Sequence, residues 1–134
     1  MFKFFSRSKI EESKIDDINL NAVELMISIA LADGKMSEGE KKLIMNYIDS
    51  RNIDSKSKLF NEALDSSIEM TSFHDQVTAI NESYAKEDKI SLLNDIWKLI
   101  LIDGVIDKYE ENLFYRIGDL IHIKRTELNK IKNT

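Results

Sequence analysis

Leu101-Ile102-Asp103-Gly104-Val105-Ile106-Asp107-Lys108-Tyr109-Glu110 repeats, seventy positions on and without a gap, Leu31-Ala32-Asp33-Gly34-Lys35-Met36-Ser37-Glu38-Gly39-Glu40. Identities continue past the quoted stretch at Leu43/Leu113, Asp49/Asp119 and Ile53/Ile123. Apolar positions match in kind at Val23/Leu93, Met26/Ile96, Ile27/Trp97, Ile29/Leu99 and Met36/Ile106. Each copy reads as a helix, an Asp-Gly turn and a second helix, with halves at about 20–53 and 90–123. Two such copies predict architecture far better than they predict chemistry.

Hydrophobic spacing extends the helical reading to nearly the whole chain. Val23, Met26, Ile27, Ala30 and Leu31 recur at three-and-four spacing, predicting a helix over about 18–33 that stops at Gly34, where a left-handed residue suits a helix end. Further helices are expected at about 37–50, 55–67 and 72–84. The next, over about 87–103, is apolar round most of its circumference between Ile90 and Ile102, the pattern of a helix buried at the centre of a bundle. A sixth, over about 108–121, is expected to turn Leu113, Phe114, Ile117, Leu120 and Ile121 inward, and a last short one to run over about 125–131. No stretch alternates with period two, so the fold class is all-α. Gly118 falls inside the sixth helix at a cost of about 1 kcal/mol relative to alanine, and a close helix crossing is the expected reason. Trp97 and Phe114 are expected in the core.

Composition agrees. The 134 residues include no proline and only four glycines, which leaves long windows free of helix breakers. Apolar residues at 43% and charged residues at 32% suit a single globular domain over 18–134. Cysteine is absent, which excludes disulfides, thiolate metal sites and cysteine nucleophiles. Net charge is −5, although residues 1–9 carry Lys3, Arg7 and Lys9 and no acid. The acidic body offers no attraction to phosphate backbones, so no nucleic-acid partner is expected. With no secretory signal pattern or membrane-length apolar run, the expected location is the cytoplasm. Residues 1–17 form a basic-aromatic tail or short helix. Phe2, Phe4 and Phe5 among its cations allow weak peripheral membrane contact through residues 1–9, or simple packing on the bundle.

Two positions in the repeated turn explain themselves. Ser37-x-x-Glu40 and Asp107-x-x-Glu110 fit capping boxes, and Met36 and Ile106 stand where a hydrophobic staple belongs. Asp33 and Asp103 do not. Each sets a carboxylate against the negative end of a helix dipole, which costs a few tenths to about 1 kcal/mol. An Asx-type turn would offset this, as would an ion pair or a cation. Should the turns lie on one side, Asp33, Glu40, Asp103 and Glu110 make an acidic patch of hard oxygen ligands suited to Ca²⁺ or Mg²⁺. Neither copy is an EF-hand loop.

The pattern Trp97…Asp103-Gly104…Asp107…Tyr109-Glu110…Leu113…Ile117, with its earlier copy, resembles the TerB-like family over about Ala22 to Leu128. That family is named for a tellurite-resistance protein, and its fold is similar to the N-terminal domain of a membrane-anchored DnaJ-type co-chaperone. The resemblance implies a compact bundle of about seven helices with an internal pseudo-two-fold repeat. It also implies an acidic surface for divalent cations at Asp33, Glu40, Asp103 and Glu110. Lys108 and Tyr109 stand where some members carry further carboxylates.

Other chemistry finds little purchase. His74 and His122 have no partner at helical spacing, which argues against zinc. No glycine-rich turn follows a strand to cradle a phosphate. The expectation is a non-enzymatic stress-response module that binds unidentified protein partners and requires no cofactor, with a divalent cation as an addition at the Asp-Gly turns. The alternatives are a membrane-peripheral adaptor docked by the N-terminal segment and a metal-assisted hydrolase using the same carboxylates.

Overall fold

The computed structural model describes residues 19–32, 35–51, 56–68, 72–102, 104, 106 and 108–133. Among these, every regular element is a helix: α1 over 19–30, α2 Glu38–Ser50, α3 Lys56–Ile68, α4 His74–Ser83, α5 Lys86–Leu101, α6 Lys108–Leu120 and α7 Arg125–Lys132. None of the described helices is long and apolar enough to cross a membrane. The tail at 1–17 and the stop at Gly34 lie outside the described residues.

At the seventy-residue displacement, some helix boundaries and burial positions recur. α6 begins and ends seventy positions after α2. Ala22, Val23, Met26, Ile27, Ile29 and Ala30 of α1 are buried, and so are their counterparts Leu92, Leu93, Ile96, Trp97, Leu99 and Ile100 of α5. Ile44, Tyr47 and Ile48 of α2 match Phe114, Ile117 and Gly118 of α6 in the same way.

α5 packs against α2, α6 and α7. Trp97 meets the Phe114 ring of α6 at 5.0 Å between centroids, and Lys132 Nζ of α7 lies 5.6 Å from the indole centroid. Lys132 also donates to the Tyr115 hydroxyl at 2.9 Å and to Glu111 Oε1 at 3.3 Å, which fastens α7 to α6. Gly118 explains itself here. A Cβ on it would stand 2.6 Å from Leu128 Cδ2 of α7, closer than atoms can sit.

The ends of the helices are finished locally. Ser37 caps α2 reciprocally with Glu40: the Glu40 amide donates to Ser37 Oγ at 3.1 Å and the Ser37 amide to Glu40 Oε1 at 2.9 Å. Beyond α5, Gly104 takes φ 77°, the left-handed form that glycine adopts without a Cβ penalty. α6 closes through His122 at φ 64°, with the Ile123 amide donating back to the Gly118 carbonyl at 2.9 Å. This is a Schellman closure with histidine where glycine is usual, so His122 has a turn to make.

A polar chain, buried at Asn19, Tyr47 and Tyr84 and half-buried at Arg51 and Asp88, ties four elements together. Tyr47 of α2 donates to the Tyr84 hydroxyl at 2.9 Å, and Tyr84 donates to Asn19 Oδ1 of α1 at 3.1 Å. Arg51 donates to the same Asn19 oxygen at 3.3 Å and to Asp88 Oδ1 of α5 at 2.9 Å. The other Asp88 oxygen accepts from the Ala85 amide at 3.3 Å, which holds the start of α5. Burial pushes both tyrosine hydroxyls above their ordinary range, so they keep their protons under ordinary conditions.

Three expectations need correction. Leu120 faces outward, because Ile117, Gly118 and Ile121 already fill the inner face of α6. Ile106 is exposed and not packed on the core, whereas Met36 is. Leu101 and Ile102, at the end of α5, are also partly exposed.

Gly118→Ala is expected to lower stability by about 1 kcal/mol in urea denaturation. Overpacking costs about 1–3 kcal/mol, and alanine's better helix propensity returns about 1 kcal/mol. In the Gly118→Ala/Leu128→Ala double variant the loss should be smaller than the sum of the two single losses.

Candidate functional site

Two places were open to function: the repeated turn, and whatever surface the bundle leaves unfilled. At the turn, the described flanks come together. Ile102, which precedes Asp103, lies against Gly39 at the start of α2, where an added Cβ would sit 3.2 Å from Ile102 Cδ1. Glu40 is only 5% exposed and its Oε1 is engaged in the α2 cap. Glu110 sits half-buried in the first turn of α6. Asp33, Asp103 and Asp107 lie outside the described residues, as do the cations and phenylalanines of residues 1–9. Among the described residues no group of three or more histidines and carboxylates is arranged to hold a metal ion.

The second place is a groove of about 790 Å³ between the end of α1, the start of α4 and one side of α6. Its α6 wall is a single seam, Tyr109, Leu113, Arg116 and Leu120, spaced four, three and four. Phe73, His74 and Val77 form the facing wall, while Ser28 and Leu31 close the α1 end. Tyr109 is 64% exposed and Leu120 42%, so the apolar lining runs out onto the surface. No carboxylate among the described residues lines it. The side chains of Arg116 and His74 have no hydrogen bond or ion pair among the described residues.

Behind the α1 end of this groove a carboxyl group is buried. Glu24 is buried, and its backbone carbonyl accepts from Ser28 Oγ at 2.9 Å and Ser67 Oγ at 3.2 Å. Burial pushes the Glu24 carboxyl above the usual carboxylate range. Bonds from Gln76 and Ser66 pull it back, and the nearby charge of Asp75 pushes it up again. Gln76 is buried too, and its Oε1 has no partner among the described residues.

Sequence spacing identified Leu113 as inward and missed the groove. His74, Arg116 and Tyr109 come from two helices distant in the chain, and only their joint placement makes them a lining. The usable signal was the chemistry of the second copy: Tyr109 and Leu120 replace Gly39 and Ser50 at matching positions.

A carboxyl raised in the folded state adds stability below its unfolded value, near 4.5, and loses that contribution as pH rises through the folded value. Glu24→Gln is therefore expected to raise the melting temperature at pH 7, with the gain vanishing at pH 4. A lower melting temperature at pH 7 would show instead that the folded protein needs the charge.

The family model described as tellurite resistance protein TerB matches residues 19–133. No curated protein and no solved structure gives a significant match to the chain.

Proposed function

This chain belongs to the TerB family, and from that premise we propose that it is a non-enzymatic module of tellurite-resistance type, acting through protein contacts in a cellular stress response. The observation that carries the reading is the family match over nearly all of the folded chain. The groove gives it a physical surface: apolar walls, one arginine and exposed aromatic area are the means of binding rather than turnover. Ser67 supports the same view, since its hydroxyl is spent on the Ala63 carbonyl at 2.6 Å and on Glu24.

Weak binding of Ca²⁺ or Mg²⁺ at the Asp-Gly turns is the second part of the proposal. Its support is the contact of Ile102 with Gly39, which joins the flanks of the two turns. In this reading Asp33 and Asp103 carry the cation. Glu110 and the Glu40 oxygen that its cap leaves over would complete the set.

Titration of the full chain with CaCl₂, MgCl₂ and ZnCl₂, followed by amide NMR, tests the cation. Saturable shifts over 31–40 and 101–110 with Ca²⁺ or Mg²⁺ are expected in the range of about 0.1–1 mM, and they should vanish in Asp33→Asn/Asp103→Asn. A flat titration removes the cation. Growth on tellurite tests the module: cells expressing the chain should tolerate more than cells carrying an empty vector, and equal growth overturns the reading.

A further inference from the structure

The fold contains its own control for the α6 seam. Tyr109, Leu113, Arg116 and Leu120 correspond, seventy residues earlier, to Gly39, Leu43, Asn46 and Ser50 on α2. Both helices have the same length and bury matching inner positions, and both keep leucine at Leu43/Leu113, so the architecture does not demand large apolar groups at the two ends of this row. The second copy nevertheless places a tyrosine and a leucine there, largely exposed, at the two ends of the groove. Exposed apolar side chains continuous with a groove mark an interaction surface.

Spacing and charge then describe the occupant. Rows at four, three and four residues are what one helix offers to another when side chains interdigitate. From Tyr109 to Leu120 the seam runs about 16 Å at the helical rise, enough for about three turns of a docked helix. Arg116 stands in the middle of the row and His74 on the facing wall, both without an ion-pair partner among the described residues. Arg116 is a fixed cation on a chain of net charge −5. A guanidinium fork set among apolar groups favours a carboxylate, which it can hold bidentately.

We infer that the groove between α6 and α4 docks an amphipathic helix of a protein partner, with its apolar row in the seam and an acidic side chain on Arg116. The inference rests on the interaction-module reading and names the partner's chemistry. Tyr109 and Leu120 would supply the covered area, and Arg116 the selection for acidic over basic partners.

The test uses the full chain and two fluorescein-labelled helical peptides of about four turns. Both carry leucine along one face; one is flanked by glutamate and its twin by lysine. The glutamate peptide should bind and shift the amides of Tyr109, Leu113 and Leu120, with the lysine twin at least about tenfold weaker. Arg116→Glu, at an exposed position, should reverse that order while leaving the circular dichroism unchanged. Equal binding of the twins, tighter binding of the lysine peptide to the unaltered chain, or shifts only outside the seam would overturn the inference. So would no binding at millimolar peptide. Sedimentation showing a dimer of the protein alone that Leu120→Lys dissolves would also overturn it, by giving the seam to a second copy. Any of these results alongside a positive tellurite assay removes the acidic helix and leaves the module standing. A negative tellurite assay removes the module itself.

Discussion

One helix cannot exist without the others. Leu92, Leu93, Ile96, Trp97, Leu99 and Ile100 all bury their side chains, and they lie on more than one face of α5. A surface helix needs one partner for its apolar stripe, but this one needs cover on several sides. α2, α6 and α7 provide it, and their positions follow from that demand. The fastening is finished at two points: Asp88 joins the start of α5 to the polar chain through Arg51, and Trp97 meets both Phe114 and Lys132.

The polar chain from Tyr47 through Tyr84, Asn19 and Arg51 to Asp88 complements this packing. Apolar contact is indifferent to small slips of one helix along another, whereas hydrogen bonds between buried groups are not. Burial of Tyr47, Tyr84 and Asn19 makes the loss of any one partner costly, because the others would be stranded away from water. The chain therefore fixes the register in which α1, α2 and α5 meet.

Much of this was legible in the amino-acid order. Three-and-four spacing placed the helices within a residue or two, except that α1 ends at 30 rather than 33, and the breadth of the apolar surface marked α5 as central. Ser37 and Glu40 announced their reciprocal cap, and Gly118 its close crossing with Leu128. Spacing alone misjudged Leu120, because an apolar residue one turn beyond Ile117 fits equally well on an inner or an outer row. Asn19, Tyr47, Arg51, Tyr84 and Asp88 carry no common pattern in sequence; their bonds exist only once distant helices meet. The groove was hidden for the same reason, being shared by α1, α4 and α6. The repeat is most informative where its copies disagree. Inside, the two copies keep one pattern of burial. Outside, the second adds an aromatic, a leucine and an arginine that the bundle does not need, while Asp33 and Asp103 remain the shared carboxylates that capping leaves unexplained.

Native-state hydrogen exchange of the α5 amides tests the central claim most directly. If α5 is the helix on which the bundle depends, the amides from Leu93 to Ile100 should exchange only through global unfolding, with the free energy obtained from denaturant melts. α3 and the exposed end of α6 should open at lower cost. Exchange of α5 by local opening, as fast as that of α3, would contradict the account.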